Sequence, residues 1–132
     1  MSLASVSSEK RYQIQVLVQS EYLADQSDAS KHIYSFAYTV RITNTGNVPS
    51  QLISRHWIIK DDNNEIVEVK GLGVVGHQPL MGPGESFEYT SGCQLKTPSG
   101  TMRGSYFFVA DDAAQFNAQV AEFVLSVPRV LH

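Results

Sequence analysis

One stretch of the sequence, from residue 34 to residue 43, alternates large apolar side chains with small or polar ones. The large residues occupy every second position: Tyr34, Phe36, Tyr38, Val40 and Ile42. A repeat of two residues places all of them on one face of a β-strand, whereas a helix would scatter them around its circumference. The sequence therefore predicts a strand with one buried face, and the fold must supply a second layer to cover that face.

The same alternation recurs along the chain, separated by clusters of Gly, Pro, Asn and Asp that are typical of turns. It predicts about seven antiparallel strands, at residues 12–19, 34–43, 52–60, 66–69, 86–90, 101–110 and 115–127. No segment has the pattern of an amphipathic helix. The fold class is therefore all-β, a single-domain immunoglobulin- or fibronectin type III-like β-sandwich, with a small barrel as the alternative.

Three of these strands have irregular patterns. In the first strand, Leu17 interrupts the alternation and is expected to make a contact of its own. The strand at 52–60 is apolar on both faces, which is typical of a covered central strand; its two faces are Ile53, Trp57 and Ile59, and Leu52, His56 and Ile58. In the last strand the inward set shifts by one residue at Val120–Ala121, which predicts a β-bulge there and places Ala121 in the second inward set.

The composition limits the classes of function. At 132 residues the chain suits one domain, expected at residues 11–128, with a flexible N-terminal tail at 1–10 and a C-terminal tail at 129–132. A net charge of −3 provides no basic surface for nucleic acid. The single cysteine, Cys93, excludes an intrachain disulfide and a thiol-based zinc site. The sequence contains neither a signal peptide nor a membrane-length apolar run, so we expect a cytoplasmic location and no membrane insertion.

The glycine-rich segment Gly71-Leu72-Gly73-Val74-Val75-Gly76 has the spacing of a dinucleotide-binding loop. That function requires a helix after the last glycine, and His77-Gln78-Pro79 prevents one. Two interpretations remain open. Either the loop amides form a nest for a pyrophosphate-like anion, with charge from Lys70 or Arg55, or the glycines Gly71, Gly73 and Gly76 allow a tight backbone crossing.

The tripeptide Arg55-His56-Trp57 is a second candidate site. Arg55 and Trp57 share one face of their strand, so the guanidinium either stacks on the indole as a cation–π pair or shields its edge, with His56 on the opposite face. Trp57 either anchors the core or forms an exposed interface with Arg55. The four histidines are dispersed along the chain, so no cofactor or metal ligand set is predicted; a composite cation site would have to include His56 or His77.

Three segments of the sequence resemble the ApaG (CorD) family. They are RHWIIKDDNNEIVEVKGLGVVGHQP, PGESFEYTSGCQLKTPSGTMRGSY and YSFAYTVRITNTG, and the resemblance covers residues 11–128. It implies a fibronectin type III-like sandwich, similar to modules of a eukaryotic F-box protein and a DNA-polymerase-interacting protein that serve in protein–protein contacts. In bacteria, the family is linked to cobalt tolerance and magnesium efflux, and to genes for dinucleoside polyphosphate hydrolysis.

The residues do not indicate an enzyme. The Gly-x-Ser-x-Gly motif is absent, and a lone cysteine such as Cys93 is typically a small buried side chain. We therefore expect a non-catalytic binding module that recognises another protein through edge strands and the glycine loop, or pairs with a second copy through an edge. The alternative is a small-ligand binder for pyrophosphate-like anions or divalent cations at Gly71–Gly76.

Overall fold

The computed structural model describes residues 11–128, so both predicted tails lie outside the described residues. Two short 3₁₀ turns, Ala24–Gln26 and Ala29–Lys31, connect the first two strands. The strands of the described chain are β1 (Ile14–Tyr22), β2 (Tyr34–Asn44), β3 (Ser50–Asp61), β4 (Ile66–Leu72), β5 (Leu80–Met81), β6 (Ser86–Leu95), β7 (Ser99–Ala110) and β8 (Gln115–Ser126).

The strands form two antiparallel sheets. The first sheet has the order β1-β2-β6, and the second has the order β4-β3-β7-β8, with β5 paired to the start of β3. The large residues of β2 that define the alternation, Phe36, Tyr38, Val40 and Ile42, are all buried between the sheets. The predicted all-β sandwich is therefore confirmed.

Three features of the strands differ from the prediction. The two-residue strand β5 is too short to leave an alternating pattern. Strand β6 continues past Thr90 to Leu95. The sequence did not indicate this extension, because the inward residues Ser91 and Cys93 are not large apolar residues. The prediction that Leu17 makes a contact of its own is wrong, since its side chain lies on the outer face opposite Arg41 and is 54% exposed.

Two bulges determine which side chains enter the core. The pairing of β3 with β7 shifts at Ile53, so Leu52 and Trp57 are both buried on the same side. Their predicted placement on opposite faces is wrong for this reason. In β8, two residues, Ala121 and Glu122, lie opposite a single residue of β7, which is the bulge predicted at this position. Ala121 itself is exposed, so the second inward set begins two residues later than predicted.

The core is centred on the indole of Trp57, which is 2% exposed. Ring centroids of Tyr38, Tyr106 and Phe123 lie 5.6, 5.9 and 5.9 Å from its centroid, and all three pairs are edge-to-face. These rings come from β2, β7 and β8, so the cluster joins the two sheets. Such edge-to-face pairs contribute about 0.5–1.5 kcal/mol each beyond their buried area.

Candidate functional site

The two lateral sides of the sandwich differ. On one side, the edge strands β1 and β8 lie against each other, and Ser20 Oγ donates a hydrogen bond of 3.0 Å to the Val124 carbonyl. On the other side, the edge strands β4 and β6 are separated by a cavity of about 430 Å³. We call this cavity the β4–β6 cleft. Its walls are the inward residues of the two strands, and its floor is formed by Tyr38, Trp57 and Met102.

The cleft exists because small side chains occupy facing positions. The register pairs Trp57 with Val69 and Arg55 with Gly71, so Val69 and Gly71 lie on the inward face of β4. Across the cleft, β6 presents the short side chains of Ser91 and Cys93. None of these residues is long enough to fill the gap between two sheets spaced about 10 Å apart.

Arg55 lies at the Gly71 end of the cleft. Its Nη1 donates to the carbonyls of Leu72 and Gly73, at 3.1 and 3.0 Å. A Cβ on Gly71 would come within 2.8 Å of Nη1, so the missing side chain gives the guanidinium its position. The predicted stacking of Arg55 on Trp57 is wrong, because the guanidinium reaches across β4 to these carbonyls instead.

The opposite end of the cleft is spanned by an ion pair. Lys96 Nζ, just after β6, lies 3.8 Å from Glu65 Oε2, just before β4. The nearby carboxylate of Asp61 accepts hydrogen bonds from the Asn63 and Glu65 amides, at 2.8 and 3.0 Å. At this end the charges of Lys96 and Glu65 are therefore matched, and Asp61 is held by backbone amides.

Three tyrosine hydroxyls lie between the sheets beside the cleft. Tyr89 and Tyr106 share a hydrogen bond of 2.5 Å between their hydroxyl oxygens, which joins β6 to β7. Burial raises the pKa of Tyr89 to about 12, and burial with the neighbouring Tyr89 raises the pKa of Tyr106 further. Burial also raises the pKa of Tyr38, and it raises the pKa of the Cys93 thiol to about 11. All four groups are neutral at neutral pH.

The glycine loop is tied to the chain by its own amides. The Gly73 amide donates to the Ile53 carbonyl at 2.8 Å, while Val74 and His77 exchange amide–carbonyl hydrogen bonds of 2.8 and 2.9 Å. Gly73 and Gly76 have φ of 64° and 82°, the left-handed conformation that glycine adopts readily. The element that follows Gly76 is the short strand β5, not a helix. These contacts support the interpretation in which the glycines allow a tight backbone crossing.

The structure separates the predicted site residues into three places. Arg55 and Trp57 line the β4–β6 cleft, and Gly71 pairs with Arg55 at its end. His56 and Lys70 form a cross-strand pair on the outer face of the second sheet, where His56 Nε2 lies 3.7 Å from Glu68 Oε2. Gly73, Gly76 and His77 belong to the loop, and the ring of His77 packs against Phe87.

Several cleft residues were not singled out by the sequence. Tyr38, Val69 and Cys93 were assigned to strands or to the core, because their alternation gave no sign that the sheets part at this edge. Small residues at successive inward positions of an edge strand, as at Ser91 and Cys93, are the signal that would have indicated a cavity. Among residues 11–128, no three His, Cys, Asp or Glu side chains are grouped to hold a metal ion. Within the same range, no helix has the length and apolar character to cross a bilayer.

Comparison with known proteins decides the family. The sequence profile of the ApaG domain matches residues 24–110. The chain belongs to the ApaG family. Protein ApaG from Ralstonia nicotianae is 59% identical over 122 residues, covering 92% of this chain and 98% of the relative. Protein ApaG from Bordetella pertussis is 58% identical over 123 residues, covering 93% and 94%.

A solved structure from the ApaG family has the same architecture. The crystal structure of the putative ApaA protein from Bordetella pertussis superimposes with a TM-score of 0.89 at 57% sequence identity. The superposition covers 92% of this chain and 98% of that one. The similarity extends over both sheets, so the sandwich described above is the fold of this ApaG-family relative as well.

Proposed function

We propose that this ApaG-family chain is a non-catalytic binding module that accepts an extended segment of another protein in the β4–β6 cleft. The observation that carries the proposal is the asymmetry of the sandwich, in which one pair of edge strands meets and the other pair leaves a cavity of about 430 Å³. An edge strand presents unpaired backbone N–H and C=O groups, with which an added strand can form hydrogen bonds. The cleft therefore offers a bound peptide unpaired backbone N–H and C=O groups beside an apolar floor.

The dimensions of the cleft suit a short peptide. Its lining on the β4 wall runs from Glu65 to Val69, and a strand rises about 3.3 Å per residue, so it is about 13 Å long and accommodates about four extended residues. Val67, which is 57% exposed, and Val69 form its β4 wall. A peptide side chain placed between them and Trp57 would bury apolar surface that now faces water.

The chemistry of the cleft favours binding over catalysis. The thiol of Cys93 has a pKa of about 11, so it is protonated and a poor nucleophile at neutral pH. The hydroxyls of Tyr89 and Tyr106 are occupied with each other and buried. These groups line or support an apolar surface and do not provide an activated acid, base or nucleophile.

The proposal is tested by selecting random peptides of about seven residues, displayed on phage, on the immobilised protein. We expect enrichment of a defined motif, with binding lost in a Val69→Arg variant, because the new side chain fills the cleft. The matched control is Leu17→Arg, which adds the same charge to an exposed site on the outer face of β1. Failure to enrich any motif, or peptides that bind Val69→Arg as well as the unmodified protein, would overturn the proposal.

A second copy of the chain is the other macromolecule that these edges could accept, and sedimentation distinguishes it. A monomer that binds the selected peptides supports a different protein as the partner. A dimer that dissociates in the Val69→Arg variant would instead assign the cleft to self-association. We place the module in the cytoplasm, where its single thiol stays reduced.

A small-anion binder is the second candidate function. It is favoured by a shallow depression on the outer face of the second sheet, beside Gly71, to which His56 and Lys70 contribute. Both side chains donate hydrogen bonds, and Lys70 carries a positive charge. An amide NMR titration with pyrophosphate tests this candidate: shifts at Lys70 and Gly71 that disappear in Lys70→Gln would support it, and no shifts at millimolar pyrophosphate would exclude it.

A further inference from the structure

Two charged groups that line the β4–β6 cleft, Asp61 and Arg55, have no oppositely charged partner among residues 11–128. Glu65 pairs with Lys96, and Asp61 accepts two backbone amides. Arg55, at the other end, contacts no carboxylate among residues 11–128; the partners of its Nη1 are two neutral carbonyls. The cleft therefore contains a half-buried guanidinium whose charge is stabilised only by backbone dipoles.

The surroundings of Arg55 make an anionic partner favourable. The nearby hydroxyls of Tyr38, Tyr89 and Tyr106 and the thiol of Cys93 are uncharged at neutral pH, so none of them neutralises the guanidinium. A guanidinium has five N–H donors and binds a carboxylate through two parallel hydrogen bonds. With Nη1 engaged by β4, the Nη2 and Nε donors remain for such a contact.

We propose, on the basis of the function proposed above, that the cleft selects a peptide with an acidic side chain two positions from an apolar one. The apolar side chain contacts Trp57 and Val69, and the Asp or Glu carboxylate pairs with Arg55. The spacing follows from the register, because Trp57 and Arg55 are two residues apart on β3 and face the same way. Residues two apart in an extended peptide are separated by about 6.6 Å and also face the same way.

At the other end of the cleft, the Lys96–Glu65 pair does not require a charged partner from the peptide. Its cation and anion already satisfy each other, so a basic side chain in the peptide would have to compete with Lys96 for Glu65. Both residues of that pair are exposed, so the pair contributes little to the binding of either an acidic or a basic peptide. The preference for an acid therefore comes from the Arg55 end, while Asp61 at the other end is buried and accepts backbone amides.

The selected peptides provide the first test. We expect Asp or Glu to be enriched two positions from an aliphatic or aromatic residue. Replacing that acid by its amide should weaken binding about 10- to 100-fold, which is typical of a hydrogen-bonded charge pair. The two peptides should bind Arg55→Gln with equal affinity, while Arg41→Gln should preserve the full difference. Arg41 is the matched control, because it is an exposed arginine paired with Glu88 on the outer face of the first sheet.

Peptides that bind in the cleft without an acidic residue would overturn this inference and leave the proposed function intact. A difference in affinity between the acidic peptide and its amide that persists in Arg55→Gln would also overturn this inference. A cooperative urea transition for both arginine variants verifies that they are folded. An Arg55→Lys variant, which retains the charge without the paired donors, should keep an intermediate part of the difference.

A small carboxylate tests the same chemistry without a selected peptide. We would titrate the protein with 3-phenylpropanoate and with 3-phenylpropanamide, which differ in charge and share the apolar group. The reporter is the indole N–H of Trp57, the only tryptophan in the sequence, whose Nε1 has no hydrogen-bond acceptor among residues 11–128. We expect the carboxylate to shift this signal at about tenfold lower concentration than the amide does, and Arg55→Gln to remove the difference. Equal responses to both compounds would contradict the inference even if the peptide selection failed.

Discussion

The side of the sandwich where β1 meets β8 and the side where β4 faces β6 are built from the same kind of strand, yet only one is closed. On the closed side, the inward residues of the edge strands include Phe116 and Phe123, whose rings contact neighbouring aromatic residues. On the open side, the corresponding positions include Gly71, Ser91 and Cys93. The difference in side-chain volume is sufficient to account for a packed seam at one edge and a cavity at the other.

The comparison separates residues that stabilise the fold from residues that are available for binding. Side chains on the closed side already have protein partners, so replacing them removes contacts that exist in the free molecule. Side chains at the mouth of the cleft, such as Val67, contact mainly water. Their apolar surface gains a partner only when something enters the cleft, and substitution there should affect binding more than stability.

The largest effect is expected from the same substitution made on the two sides. Val120→Ala, on β8, removes buried methyl groups at a residue only 5% exposed and should lower the free energy of unfolding by about 2 kcal/mol. Val67→Ala, on β4, should change it by less than about 0.5 kcal/mol. Urea denaturation measures both. Equal losses would mean that the cleft is packed as tightly as the closed seam.

The hydroxyl pair of Tyr89 and Tyr106 joins the sheets next to the cleft, and breaking it should have the second largest effect. Tyr106→Phe leaves the Tyr89 hydroxyl without its partner, so we expect a loss of about 1–2 kcal/mol. The double variant with Tyr89→Phe should lose no more than the single one, because neither hydroxyl is then left unpaired. Tyr34→Phe is the control, since its hydroxyl has no hydrogen bond to residues 11–128, and it should be neutral. Additive losses in the double variant would show that the two hydroxyls act independently.

A smaller effect tests how Gly71 positions Arg55. In Gly71→Ala the new Cβ would lie 2.8 Å from Nη1, and the guanidinium must move off the Leu72 and Gly73 carbonyls. We expect a loss of about 1 kcal/mol in urea denaturation. The control is Gly92→Ala on the opposite wall, where the nearest atom, the Phe36 carbonyl oxygen, is 3.7 Å from the new Cβ. That variant should be neutral or slightly stabilising, because alanine restricts the unfolded chain. Equal losses would show that the space over Gly71 is not needed by Arg55.

Regular alternation made most of the fold predictable. The faces of β2 were assigned correctly because every second residue from Phe36 to Ile42 is large and apolar. The faces of β3 were not, because the bulge at Ile53 inverts the alternation without a glycine or proline to indicate it. In β8 the bulge was predicted, since the apolar pattern itself changes phase at Val120. A bulge was therefore visible in this sequence only where the apolar pattern itself changes phase.

The candidate site was less predictable than the fold. The sequence indicated Arg55, Trp57 and Gly71 individually, but it assigned Gly71 to a loop and Arg55 to a contact with the indole. The cleft depends on which edge strands meet across the two sheets, and this is a long-range property that local patterns do not encode. Small residues such as Ser91 and Cys93 were informative only after their inward direction was known.

The last comparison concerns reactivity rather than stability, and it tests whether the open side is accessible. Cys93 lies half-buried in the cleft wall with a pKa of about 11, so its alkylation by iodoacetamide at pH 7.5 should be about 100-fold slower than that of an ordinary exposed thiol. The control is Leu17→Cys in a Cys93→Ala background, an exposed position on the outer face of β1. Below its pKa the thiolate fraction of Cys93 rises tenfold per pH unit, so its rate should still be increasing at pH 10, where the control has levelled off. Equal rates at pH 7.5 would contradict the burial of the thiol. No reaction at pH 10 would mean that the cleft does not admit even a small reagent, which would remove the basis for peptide binding on this side.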